Sequence, residues 1–82
     1  MIHLSEIWDI IQRRMPRGCW VSLEEIYQMV KCYGNLDVED LKPQSPISDI
    51  PKWKRNVRNV LQYRKNRTKE IQWGGDARYL LP

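Results

Sequence analysis

Between Lys52 and Lys69 the chain carries eight basic side chains, Lys52, Lys54, Arg55, Arg58, Arg64, Lys65, Arg67 and Lys69, and no acidic one. Asn59, Gln62 and Asn66 are interleaved with them. Guanidinium and ammonium groups attract anionic oxygens, and amides add a paired donor and acceptor, so this run has the chemistry of polyanion recognition. A helix that needs only solubility mixes Glu with Lys, and this segment does not. The formal net charge of +4 conceals the concentration. Residues 1–50 hold five basic and eight acidic side chains and carry −3, whereas residues 51–82 hold nine and two and carry +7.

The other reactive residue types are scattered. His3 is the only histidine, and Cys19 and Cys32 lack the CxxC spacing of a zinc site. Both cysteines are expected as small, buried or half-buried thiols; their spacing leaves a disulfide open, and a reducing compartment disfavours it. The acidic neighbours Glu24 and Glu25, and Glu39 and Asp40, suit helix starts and loop solvation rather than a metal. With no HNH, PD-(D/E)xK or P-loop pattern, no catalytic residue, metal ligand or cofactor is expected. The length points the same way, since 82 residues and 9.9 kDa make one small domain, residues 1–82, without room for an enzyme's own substrate cleft. Hydrophobic residues at 41% and charged ones at 29% are ordinary for a folded globular domain. No apolar run approaches the ~18 residues of a membrane span, and Glu6, Asp9, Arg13 and Arg14 interrupt the first thirty, so a cytoplasmic protein without membrane contact is expected.

The elements that must position the basic run follow from apolar spacing. Ile2, Leu4, Ile7, Ile10, Ile11 and Met15 recur at helical intervals beside Trp8, predicting a first helix over about 5–14, entered through His3 or Ser5 and closed by Pro16 and Gly18. Cys19, Trp20 and Val21 suffice for a short strand. Ser22 and Glu25 have the spacing of a capping box, which predicts a second helix over about 23–33, with Gly34 supplying a left-handed closing residue. Residues 35–50 are rich in turn formers and read as a loop, with at most one helical turn over 37–41, packed by Leu36, Val38 and Leu41.

Pro51 suits the first turn of a third helix over about 51–66, capped by Ser48 or Asp49. Trp53, Val57, Val60 and Leu61 form its core stripe, which makes Trp53 structural. Lys52, Arg55, Asn59, Gln62 and Asn66 lie opposite, with Arg58 at the edge. Arg64 falls within the apolar stripe by angle, so its stem is expected to pack while its head stays in water. Glu70 to Trp73 and Ala77 to Leu81 alternate around Gly74, Gly75 and Asp76, predicting a hairpin over about 70–81 whose glycines supply positive φ.

Helix, short strand, helix, helix and hairpin is an α+β order, and it is the layout of a winged helix-turn-helix: three helices plus a C-terminal two-stranded wing, with the third helix facing the major groove. Residue by residue, the chain also resembles a family. Glu39, Asp40, Leu41, Lys42 and Pro43 are similar to an EDLxP loop, and Pro51, Lys52 and Trp53 to a PxW helix opening. Asn56, Val57, Arg58 and Val60 through Tyr63 in the helix, and Ile71, Gly74, Gly75, Tyr79 and Leu81 in the hairpin, extend the likeness. Together they resemble the N-terminal winged helices of Mrr-like and HNH-type restriction endonucleases over about residues 20–82. The chain departs from the pattern at the hairpin tip, where Asp76 puts negative charge close to where phosphates would approach.

The resemblance implies a target-recognition module for double-stranded DNA, serving a restriction or modification-dependent nuclease whose catalytic domain lies elsewhere in the parent protein. It also implies sensing of base methylation, for which Trp53, Tyr63 and Trp73 are the aromatic candidates. The expected DNA-binding residues are Lys52, Arg55, Arg58, Asn59, Gln62, Asn66, Arg67 and Lys69. Cations among them suit phosphates or guanine edges, and amides suit adenine. Two other functions use the same face: a winged helix docking an acidic protein partner, and a small stand-alone transcriptional regulator.

Overall fold

The computed structural model describes all of Met1–Pro82. It is a small α+β domain of four helices and a three-stranded antiparallel sheet. Helix α1 spans Leu4–Arg14 and buries Ile7, Trp8, Ile10 and Ile11. Its N-cap, His3, makes no side-chain cap bond, and Met15 turns extended ahead of Pro16. Strand β1, Trp20–Ser22, leads directly into α2, Leu23–Tyr33. Ser22 Oγ accepts the Glu25 N–H at 3.1 Å, but the return bond from the Glu25 carboxylate is not made. Ser22 is also the last residue of β1, in register with Arg78, so the expected capping box is half formed.

Gly34 closes α2 differently from the expectation, with φ at −91°, which any residue adopts. Space is the requirement there. A Cβ would lie 2.7 Å from the Val30 carbonyl oxygen and 2.8 Å from Ile2 Cδ1, because the N-terminal segment packs across the helix end.

The 35–50 segment is more ordered than a loop. Asp37 and Asp40 form a complete capping box around α3, Val38–Leu41, each side chain accepting the other's backbone N–H at 3.0 Å. Asp40, expected in solvent, is fully buried, and both of its oxygens accept the Ile2 N–H at 3.0 Å. Leu36 packs on the core as expected, whereas Val38 and Leu41 are exposed. The remaining residues form a pinched loop. The Lys52 N–H donates to Lys42 O and the Gln44 N–H to Ile50 O, with Pro43 opposite Pro51 and Ile47 at the exposed tip.

Helix α4 spans Lys52–Tyr63 and starts from Pro51 with no side-chain cap. Ser48, expected to cap it, accepts instead from Gln44 Nε2 and the Ile50 N–H. The expected helix over 51–66 is not uniform, because Arg64–Thr68 widen into a π-helical turn that ends at Lys69 in the left-handed region, φ 57°. The Arg64 carbonyl is the reason: it accepts the Lys69 N–H, the Glu70 N–H and the Thr68 hydroxyl, so the chain wraps around it on leaving the helix.

Strands β2, Gln72–Trp73, and β3, Arg78–Leu80, form the expected hairpin, and β1 adds to it in the order β1–β3–β2. The expected two-stranded unit is thus three-stranded. Positive φ occurs at Gly75, Asp76 and Ala77 and not at Gly74, where a Cβ would lie 2.7 Å from the Trp20 ring. Ala77 at φ 54° aims its carbonyl at the start of α2, where it accepts the Leu23 N–H at 2.7 Å. The core joins α1, α2 and α4 to Val21, Ile71, Tyr79 and Leu81. No helix is long and apolar enough to cross a membrane.

Candidate functional site

The core fixes the orientation of α4. Trp53, Val57, Val60 and Leu61 are buried, and Trp53 meets the Tyr27 ring edge to face at 5.7 Å. Asn56, between Trp53 and Val60 in the helix, is buried with them. With that stripe inside, the remaining side chains divide between two sides of the helix.

On the hairpin side, Arg58, Gln62 and Lys65 line a groove of about 260 Å³ with Trp73 and Tyr79. The three are spaced four and three residues apart, successive turns on one helix face. Lys65 Nζ lies 4.4 Å from the centre of the Trp73 ring. Burial pushes the Tyr27 and Tyr79 phenols above their ordinary pKa, and the positive charge of Arg58 pulls both partly back. Arg58 is in no ion pair. Lys54 sits further along, its Nζ 5.0 Å from the Tyr27 ring centre.

On the opposite side, Asn59 lines a mostly apolar cleft of about 430 Å³ with Leu4, Trp8, Tyr63 and Arg64. The Arg64 guanidinium stacks over Trp8 at 4.8 Å and pairs with Glu70 at 2.7 Å, so its head is held and not free in water. Asn59 and Gln62, expected to act together, are thus placed in different recesses.

Two of the eight cations are withdrawn by acids, Arg64 by Glu70 and Lys52 by Glu39, which also holds Lys42 at 3.0 Å. Lys52, expected to be free of acidic neighbours, is therefore neutralised by a residue thirteen positions upstream. Arg55 is half-buried; its terminal nitrogen reaches only Asn56 Oδ1 at 3.4 Å, and its Nε has no acceptor. Asn66 and Arg67 are exposed on the π turn and Lys69 just after it, none of the three in an ion pair. Asp76 is exposed at the hairpin tip, 3.9 Å from Arg78.

The groove contains two residues absent from the expected set. Lys65 falls two turns after Arg58, and that spacing was available in the sequence. Trp73 enters the expectation only through the resemblance, as an aromatic for a methylated base; its spacing alone, alternating with Ile71, assigns it to the core, whereas it stands on an edge strand and is 53% exposed. Of the aromatic candidates, Trp53 is buried, Tyr63 faces the α1 cleft and Trp73 faces the groove. Cys19 and Cys32 are both exposed and unpaired, contrary to the expected burial, and no three His, Cys, Asp or Glu side chains gather where a metal could be held. Comparison of the chain with protein-family models, with curated proteins and with solved structures returns no match.

Proposed function

We propose that this chain is a winged helix-turn-helix module that binds double-stranded DNA, with α4 directed into the major groove and the β2–β3 hairpin flanking it as the wing. The observation that carries the reading is the convergence of Arg58, Gln62 and Lys65 on the side of α4 that faces the hairpin; the unpaired cations Arg67 and Lys69 are exposed on and just after the π turn that follows. The helix and strand order, and the sheet order β1–β3–β2, support it. Arg58, Lys65, Arg67 and Lys69 are assigned to phosphates and Gln62 to base edges, while Asn59, in the α1 cleft, is not assigned to DNA. Lys52 is not assigned to DNA, since Glu39 holds it.

The module belongs, in this reading, to a cytoplasmic restriction or modification-dependent nuclease whose chemistry is supplied by another domain. Trp73, exposed in the groove, is the aromatic side chain assigned in this reading to a methylated base.

A salt titration of affinity for a random-sequence duplex tests the reading. Displaced counterions make log K fall linearly with log salt, with a slope of roughly −0.9 for each phosphate contact, so four such contacts give a slope between about −3 and −4. Binding that hardly responds to salt, or that favours an acidic protein over DNA, returns the face to protein docking.

A further inference from the structure

The groove between α4 and the hairpin contains a flat apolar surface that phosphate attraction does not require. Trp73 belongs to a strand two residues long that pairs on one side only, with β3. It lies opposite Tyr79 and Val21 in register, hence on the sheet face that turns toward the helices. Val21 and Tyr79 are buried there, while Trp73 at the edge keeps 53% of its surface in solvent. Lys65 lies against the ring, Gln62 and Arg58 stand beside it, and Tyr79 lines the groove behind them.

An exposed indole with cations and an amide around it is the combination that holds unstacked nucleotides: the ring takes the face of a base, and the cations take the flanking phosphates. A continuous duplex presents no base face to such a ring, because every face is covered by the next pair. A strand end, a bulge or a single-stranded overhang does. The groove's volume of about 260 Å³ is smaller than the roughly 300–1,000 Å³ of pockets that enclose a whole drug-sized ligand, and it suits one planar ring system entering edge-on.

We propose that this groove accepts an unstacked nucleobase, so that the preferred DNA contains a junction between duplex and unpaired strand. Trp73 stacks on the first unpaired base, and Arg58 and Lys65 hold the phosphates on either side. The proposal rests on the DNA-binding reading above and adds the class of DNA.

The test measures the whole chain's affinity for three labelled DNAs of equal phosphate number: a blunt duplex, a duplex with a five-nucleotide overhang and a duplex with a single-base bulge. Stacking of about 1–3 kcal/mol per base predicts that overhang and bulge bind about tenfold more tightly than the blunt duplex. Trp73→Phe should keep most of that preference. Trp73→Val, which favours a strand but has no flat face, should abolish it, so that the three DNAs bind alike. A thermal melt confirms that each variant is folded.

Equal wild-type affinity for all three, with a steep salt slope, overturns the base-stacking role and leaves the duplex reading standing. A uniform loss on all three in Trp73→Val makes Trp73 a hairpin residue and likewise overturns it. Absence of salt-dependent binding to any of them overturns both.

Discussion

A cation on a helix surface attracts a phosphate at full strength only if no carboxylate already holds it, and on α4 that condition separates residues that look alike in the sequence. Lys52 is held by Glu39, whereas Arg58 lines the groove and is in no ion pair. Arg58→Ala is therefore expected to reduce the steepness of the salt dependence by roughly one contact's worth, and Lys52→Ala to leave it unchanged. Salt titrations of the two variants check this, and equal changes in slope would mean that Lys52 leaves Glu39 for the DNA. Ala77 presents a different problem. Its φ of 54° lies in the left-handed region, which costs an L-residue about 1–2 kcal/mol, and it is held there while its carbonyl caps α2 through the Leu23 N–H. Glycine occupies that region freely but loses about 0.5–1 kcal/mol of backbone entropy on folding, so Ala77→Gly should raise stability by up to about 1 kcal/mol. Ala77→Val should lower it. Thermal melts of both variants read the sign, and a destabilised Ala77→Gly would place the strain elsewhere.

At the scale of elements, what could be read from the sequence is what depends on neighbours within a few turns. Apolar spacing placed the first two helices at about 5–14 and 23–33, against Leu4–Arg14 and Leu23–Tyr33 observed, and put Trp53 in the core. What could not be read depends on partners far away in the chain. Asp40 is buried because its carboxylate accepts the N–H of Ile2, thirty-eight residues upstream, and the half-buried Lys52 is paired with a residue on α3. The short strand at 19–21 was legible, but its place beside β3 was not, since β1 is too short to announce a partner at the other end of the chain. Half of the site was legible: the basic face of α4 was, but its division between groove and cleft depends on where α1 and the hairpin stand. Gly34 shows how a correct residue can be given the wrong reason. If its role were left-handed backbone, Asn would substitute well. Because a Cβ there meets the Val30 carbonyl and Ile2, Gly34→Asn and Gly34→Ala should both destabilise, by about 1–3 kcal/mol as overpacking does. Chemical denaturation of the pair decides between these roles, and a near-neutral Asn variant beside a destabilised Ala variant would restore the conformational one.

For the molecule as a whole, the acidic first half and basic second half are joined by one ion pair, Lys52 with Glu39, and acid should act on that joint. The neighbouring carboxylates titrate low for identifiable reasons. The N-terminal ammonium and the Asp40 N–H hold Asp37 at about 2, below its ordinary 3.8. Lys52 and Lys42 hold Glu39 below 4.5, and the Thr68 hydroxyl and Arg64 do the same for Glu70. A carboxylate depressed in the folded state releases its proton more readily there than in the unfolded chain. Its contribution is therefore complete above the ordinary carboxylate range near 4.5 and is lost as the pH falls toward about 2. Protonation of Glu39 also frees Lys52 within a half that already carries excess positive charge, so repulsion grows as the attraction disappears. The melting temperature should be nearly level from neutral pH to about 5 and then decline steadily. Glu39→Gln should begin lower and decline less, because one of the three titrating contributions is already gone. Added salt should weaken the decline, since all three carboxylates are at the surface. Melts across that range for wild type and Glu39→Gln measure it, and parallel curves would remove Glu39 from the linkage and leave Asp37 and Glu70 to account for the acid sensitivity.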